Sequence, residues 1–322
     1  MQAAVRSARR PLGDAAGRVV ALVRGRLHPA GGFRGRADAP DLYYTVFGAE
    51  TARGLGEPLP PNLPNYLETF GSGAGLDFVH LACLARLWAD VADAGPPGFA
   101  PAKRGSALAK PGRAGPPPEV RDAVRGRLAS FRAADGGFSH VPGAARGTAY
   151  GGFLGFMAYE DLSADLPDPA GLVRSVGRLR AAGGGYANEP GRPAPPGRSP
   201  EGLTPATAAA LALLAHLGRP VDGEAVRWLL ARLHGRGGFV AGPNIPVPDL
   251  LSTATALYAL RRAGAPLDAV RRPCLGFLDS VWSEADGGFR AHAFDDTVDC
   301  EYTWYGLLAL GCLEGQAMPT ED

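Results

Sequence analysis

The chain has 322 residues, with 33 basic and 32 acidic side chains, a net charge of +1, 46 Gly, 30 Pro and 4 Cys. That balance removes the broad electrostatic pull that nucleic acid or an anionic lipid surface exerts, so no nucleic-acid partner is expected. The cysteines Cys83, Cys274, Cys300 and Cys312 form no Cys-x-x-Cys pair and no disulfide framework, which fits a cytoplasmic location, and no run reaches the roughly 18 apolar residues of a membrane span.

Residues 1–11 carry Arg but no apolar stretch of signal-peptide length, and a mobile end is expected there. Leu12 to Leu27 reads as an amphipathic helix that stops at Gly31-Gly32-Phe33. Paired glycines take the positive φ angles of a tight reversal, and the aromatic after them can bury and anchor the corner. Asp41 then stands before an apolar run, Leu42 to Gly48, as an N-cap whose carboxylate accepts from free amides of the first turn. A less regular segment, Asn62 to Phe70, leads to a second cap, Asp77, before Phe78-Val79-His80-Leu81.

Gly and Pro crowd residues 95–118, where a flexible loop is expected. Val120 to Phe131 is a helix with Arg on one face, followed by the corner Gly136-Gly137-Phe138 and a helical segment from Thr148 to Leu162. Leu172 to Leu179 and the corner Gly184-Gly185-Tyr186 precede a second flexible stretch, 189–205. The pattern then repeats twice: Ala225 to Leu233, Gly237-Gly238-Phe239 and Asp249, and after that Leu267 to Leu278, Gly287-Gly288-Phe289 and Asp299.

The corners recur at about 50 residues or twice that, which is the signature of a repeat. Each unit is a helical hairpin. Its outer helix has one wet face, and its inner helix is apolar or small nearly all round, as an enclosed helix must be. Roughly twelve helices in six hairpins enlarge one core by stacking, so a single domain over residues 1–322 is expected.

A Gly-Gly-Phe corner, an Asp about ten residues on, and then an aromatic, a Thr and an apolar helix together resemble the repeat of the protein prenyltransferase β subunits and of the squalene and terpenoid cyclases. The resemblance runs from about Gly31 to Leu313 and implies an all-α (α/α)6 toroid, with inner helices around a central cavity. It implies a prenyltransferase-like or terpenoid-cyclase-like enzyme acting on an isoprenoid or similarly apolar ligand. Because the transferases work beside a helical α subunit, it also implies a partner protein.

The hallmark sites of that family are altered here. The transferases bind zinc through Asp-x-Cys-Tyr on one inner helix and the His of Asp-x-x-His-Thr on a later one. The fifth repeat of this chain reads Asp249-Leu250-Leu251, and Tyr302 stands at the His position of the sixth. The corner 240–248 has no Arg or Lys to grip a diphosphate. The cyclases protonate an alkene with the middle Asp of Asp-x-Asp-Asp, whereas Phe294-Asp295-Asp296 lacks the first Asp. Asp295-Asp296-Thr297-Val298-Asp299 also spells the Asp-Asp-x-x-Asp that binds magnesium in ionising terpene synthases.

Because a toroid closes on itself, the sixth repeat should neighbour the first, and the sixth, first and second repeats are expected to carry the chemistry. Asp41, His80 and Cys300 are then expected to hold zinc or magnesium, His80 having the family's metal-ligand spacing from Asp77. Asp299, Glu301, Tyr302, Asp295 and Asp296 are expected to supply acid and base chemistry. Arg34 and Arg36 should meet an anionic group, and Tyr43, Tyr44, Trp304 and Tyr305 should line an isoprenoid pocket. The simpler alternative stays open: Asp41, Asp77, Asp249 and Asp299 are N-caps, His80 is a core histidine, the cysteines are small buried side chains, and the aromatics fill the barrel. A non-catalytic scaffold that kept the toroid and lost its sites would look the same.

Overall fold

The computed structural model describes residues 1–94, 116–189 and 201–314, so most of the two loops expected at 95–118 and 189–205 lies outside the described residues. Two short helices come first, α1 (Gln2–Ser7) and α2 (Arg9–Leu12). Six hairpins follow, each an outer and then an inner helix: α3 (Ala15–Arg26) and α4 (Leu42–Gly54), α5 (Leu63–Glu68) and α6 (Phe78–Ala94), α7 (Pro118–Ala129) and α8 (Ala149–Asp161). The rest are α9 (Pro169–Gly177) and α10 (Thr204–His216), α11 (Gly223–Leu230) and α12 (Leu250–Arg262), α13 (Asp268–Val281) and α14 (Cys300–Leu313).

The corners fold as their residues dictate. Gly31 has φ 107°, and a Cβ there would meet the Asn62 carbonyl oxygen at 2.3 Å, so only glycine fits. Phe33, Phe138, Tyr186, Phe239 and Phe289 are all buried. A threonine of the following inner helix locks the corner: the Phe33 amide donates to Thr45 Oγ1 at 2.9 Å, and Thr45 Oγ1 donates to the Asp41 carbonyl at 2.6 Å. The same lock joins Tyr186 to Thr207, Phe239 to Thr253 and Phe289 to Thr303. Two-residue ribbons reinforce the last corners, β1 (Phe239–Val240) with β2 (Pro248–Asp249) and β3 (Trp282–Ser283) with β4 (Gly288–Phe289).

Five of the six inner helices start at a side-chain cap, α10 being the exception. Asp41, Asp77, Thr148, Asp249 and Asp299 each accept from the amide three residues on, at 2.7–3.1 Å, worth about 1 kcal/mol apiece. Successive inner helices pack side by side, α4 on α6, α6 on α8, α8 on α10, α10 on α12 and α12 on α14, and α14 packs back on α4. The ring is closed. This is an α/α toroid of six helical hairpins.

Residues 2–12, at the end for which the sequence suggests mobility, are helical, with Ala4, Val5 and Ala8 buried. α1 packs under the C-terminal ends of α4 and α14, against Gly54 and Gly311. The chain's amino group acts electrostatically on His216 and Cys312, so α1 lies at the C-terminal end of the ring. Among the described residues no helix is long and apolar enough to cross a membrane.

Candidate functional site

Counting from each cap, helical geometry puts the second, sixth and ninth residues of the inner helices on one stripe. Electrostatics show that this stripe faces the ring axis. Tyr305 of α14 feels Tyr150 of α8 on the opposite side of the ring, and Arg86 of α6 likewise feels Tyr258 of α12. The lumen therefore has an upper layer of Tyr43, Val79, Tyr150, Pro205, Leu251 and Glu301. Below it lie Phe47, Cys83, Leu154, Ala209, Thr255 and Tyr305, and then Glu50, Arg86, Met157, Ala212, Tyr258 and Leu308.

Glu301 is the one carboxylate in the two upper layers. Tyr43 Oη donates to its Oε1 at 2.6 Å, a contact between the first and sixth repeats. Burial raises the Glu301 carboxyl above its ordinary value, and Asp299 adds to this against the downward pull of Tyr43 and Arg36. Burial also pushes the phenols of Tyr43, Tyr150 and Tyr305 well up, so they remain protonated donors. The walls beside Glu301 are aromatic: Tyr43 packs edge-on to Phe47 at 4.9 Å, and Phe47 meets Trp304 at 5.4 Å and Tyr305 at 5.7 Å. Trp304 Nε1 is buried without an acceptor among the described residues. Tyr302 lies on the same turn with its phenol pushed up to about 12, chiefly by burial.

The other acids expected to act do something else. Asp299 is fully buried as the cap of α14, and Arg36 Nε reaches its Oδ2 at 3.1 Å. Arg36 Nη2 also reaches Asp295 Oδ2 at 3.2 Å, while Asp296 is exposed. A guanidinium thus sits where a magnesium ion bridging Asp295 and Asp299 would have to be, and the string does not fit that ion. Arg36 is correspondingly committed rather than free for an anion. Arg34 is spent on the carbonyls of Asp38 and Leu27, at 3.0 and 3.2 Å, and Tyr44 covers Gly35 at the rim.

Asp41 and His80 do come together. His80 Nε2 lies 3.4 Å from Asp41 Oδ2, and its Nδ1 lies 2.8 Å from Asp77 Oδ1. Burial lowers the imidazole pKa, but the Asp77 and Asp41 contacts outweigh it, and the net shift is upward. The three side chains border a cavity of about 400 Å³ with Tyr66, Phe70, Leu42 and Leu76. Cys300 is elsewhere: it is fully buried, feels Arg26 of α3, and burial pushes its thiol up to about 12. Among the described residues no group of three or more His, Cys, Asp or Glu could hold a metal ion. With Leu251 and Tyr302 at the zinc positions, the donor set does not fit zinc.

Residue patterns alone missed the lower lumen. Arg86 lies 3.0 Å from Asp161 and 3.6 Å from Glu50, Arg53 pairs with Asp90, and Arg53 Nη2 is 3.6 Å from Asp93. Burial raises Asp90 to about 7 despite Arg53 and Arg86. His216, 3.3 Å from the Tyr258 hydroxyl, is lowered to about 4 by burial and by Arg262. Projecting every inner helix from its cap would have placed Glu50, Arg86 and Tyr258 in one layer.

No family model matches the sequence, and no curated protein matches it either. Solved structures do. An Asp-to-Asn variant of the type II terpene cyclase MstE from Scytonema, in complex with its substrate geranylgeranyl dihydroxybenzoate, superposes with a TM-score of 0.58 at 14% identity, over 95% of this chain and 97% of that one. This chain shares its α/α toroid fold with that enzyme. The same enzyme without ligand gives 0.56 at 14% identity over 94% and 97%, and a protein from Actinoplanes gives 0.55 at 15% identity over 93% and 98%.

Proposed function

We propose that the protein is a terpenoid-cyclase-like enzyme that takes an isoprenoid or similarly apolar chain into the ring lumen and protonates it with Glu301. The observation that carries this reading is the Glu301 carboxyl itself, raised by burial, held by Tyr43 at 2.6 Å and walled by aromatic rings. Protonated Glu301 gives its proton to an alkene carbon, the π electrons form the new C–H bond, and a carbocation is left on the neighbouring carbon. Facing rings lower the energy of that cation through their negative faces. Loss of a proton from the product cation returns the overall balance, so the reaction is an isomerisation with ring closure. A partner subunit is not required by this chemistry.

Support comes from the fold shared with MstE, whose complex holds a geranylgeranyl substrate, and from the absence among the described residues of any metal-holding group. The prenyl-transfer reading loses its zinc at Leu251 and its diphosphate grip at Arg36. The test is incubation of purified protein with geranylgeranyl compounds and analysis of products. Cyclised isomers that vanish in Glu301→Gln support the reading. A wild-type protein that binds these ligands and converts none points to the second reading, a non-catalytic binding toroid, which Leu251 and Tyr302 at the positions of zinc ligands favour.

A further inference from the structure

Arg86 lies deeper in the lumen than Glu301, and the proton chemistry does not use it. Its Nε is engaged by Asp161 at 3.0 Å, but Nη1 is 3.6 Å from Glu50, too far for a hydrogen bond. No hydrogen bond from its terminal nitrogens is formed among the described residues, yet neither nitrogen is sealed away as a buried orphan. The Arg86 side chain is 17% exposed, against 5% for Glu50 and 7% for Asp161. Arg86 stands on the axial stripe of the closed ring. Tyr258 faces it from the opposite helix, beside the neutral imidazole of His216.

We propose that Arg86 and Tyr258 form a subsite for a neutral oxygen, a hydroxyl or carbonyl at the polar end of the apolar ligand; this rests on the lumen reading above. The charge around it argues against an anion. Among the described residues Arg53, Arg86, Arg262 and the chain's amino group stand against Glu50, Asp90, Asp93 and Asp161, four charges of each sign, which leaves no surplus of positive charge to replace the water stripped from a diphosphate. The guanidinium N–H groups of Arg86 suit an uncharged acceptor, and the Tyr258 hydroxyl, which also contacts His216, borders it. Seven residues of helix separate the layer of Glu301 from that of Arg86, a rise of about 10 Å. The ligand therefore goes in polar end first and leaves its far alkene beneath Glu301.

The test compares geranylgeraniol with the hydrocarbon lacking only its hydroxyl, by equilibrium binding to wild-type, Arg86→Met and Tyr258→Phe proteins. The alcohol should bind the wild type about tenfold more tightly. Arg86→Met should erase that preference and leave the hydrocarbon's affinity within about twofold, and Tyr258→Phe should reduce the preference in part. A preference that survives Arg86→Met while both affinities fall together marks a structural role and overturns the proposal. So does a wild-type protein with no preference, whether or not the variants fold, and so does tighter binding of geranylgeranyl diphosphate than of the alcohol. Failure of both the alcohol and the hydrocarbon to bind the wild type would instead sink the lumen reading, and this inference with it.

Discussion

The upper and lower lumen use the same groups in opposite ways. Above, Glu301 meets a phenol and no cation directly, since its hydrogen bond is to Tyr43 and Arg36 is taken by Asp299 and Asp295. Below, Asp90 and Asp161 are each held by an arginine. A carboxyl raised by burial and held by a phenol rather than a cation is placed to keep a proton and give it away. One locked to a guanidinium serves to hold helices together. Position along one stripe of the same helical repeat thus separates the acid proposed to react from acids paired with arginine.

Substitution of Glu301 gives the largest contrast. Glu301→Gln keeps the shape and the Tyr43 contact but has no acidic proton to give, so product formation should fall by about 10²–10⁴-fold, while exchanging a carboxyl for an amide in that one hydrogen bond moves stability by no more than about 1 kcal/mol. Product assays and a thermal melt check both halves. Arg53→Met should do the reverse. It strands the fully buried Asp90 without its partner, a loss of about 3–5 kcal/mol read by denaturant unfolding. The sign with pH is fixed: a carboxyl raised to about 7 in the fold contributes stability at low pH that disappears as pH rises through that value, so the variant should weaken further toward neutrality. A melt unchanged by Arg53→Met would erase the distinction between the two regions.

Ala209 offers a smaller and purely steric test. The α10 wall of the lumen is small, with Pro205, Ala209 and Ala212 on the axial stripe opposite the aromatics of α4. Ala209→Trp should fill that space, weaken isoprenoid binding by more than about tenfold, and cost less than the 1–3 kcal/mol typical of overpacking a closed core. A full overpacking loss would show that the wall is packed and that the lumen ends above it.

The fold was legible because its signals are local. Gly31-Gly32-Phe33 and Asp41 each specify a corner or a cap within a few residues, and repetition multiplied the evidence. The closure that brings Glu301 to Tyr43 followed from the repeat count. The site was less legible, since its pairings join repeats far apart in the chain. Arg36 reads as a free cation until ring closure brings Asp295 and Asp299 to it. Cys300 failed as a ligand because it precedes Glu301 by one residue, about 100° round the helix, which turns it toward α3. Arg86 drew no notice because a lone arginine in an apolar helix gives no motif, and its meaning depends on Tyr258 across the axis.

Tyr43→Phe probes the finest part of the comparison. The phenol stabilises the ionised form of Glu301, so it lowers the carboxyl pKa against burial. Removing the hydroxyl must let that pKa climb. Because the active form is the protonated acid, the rate should fall as pH rises through the folded pKa of Glu301, and in Tyr43→Phe that fall should begin at higher pH. The variant should then lose about tenfold or less at low pH, through poorer positioning, and recover relative to wild type as pH increases. A kcat/KM profile that drops in height without moving along the pH axis would mean that Tyr43 only fills space, and that burial alone governs the acid.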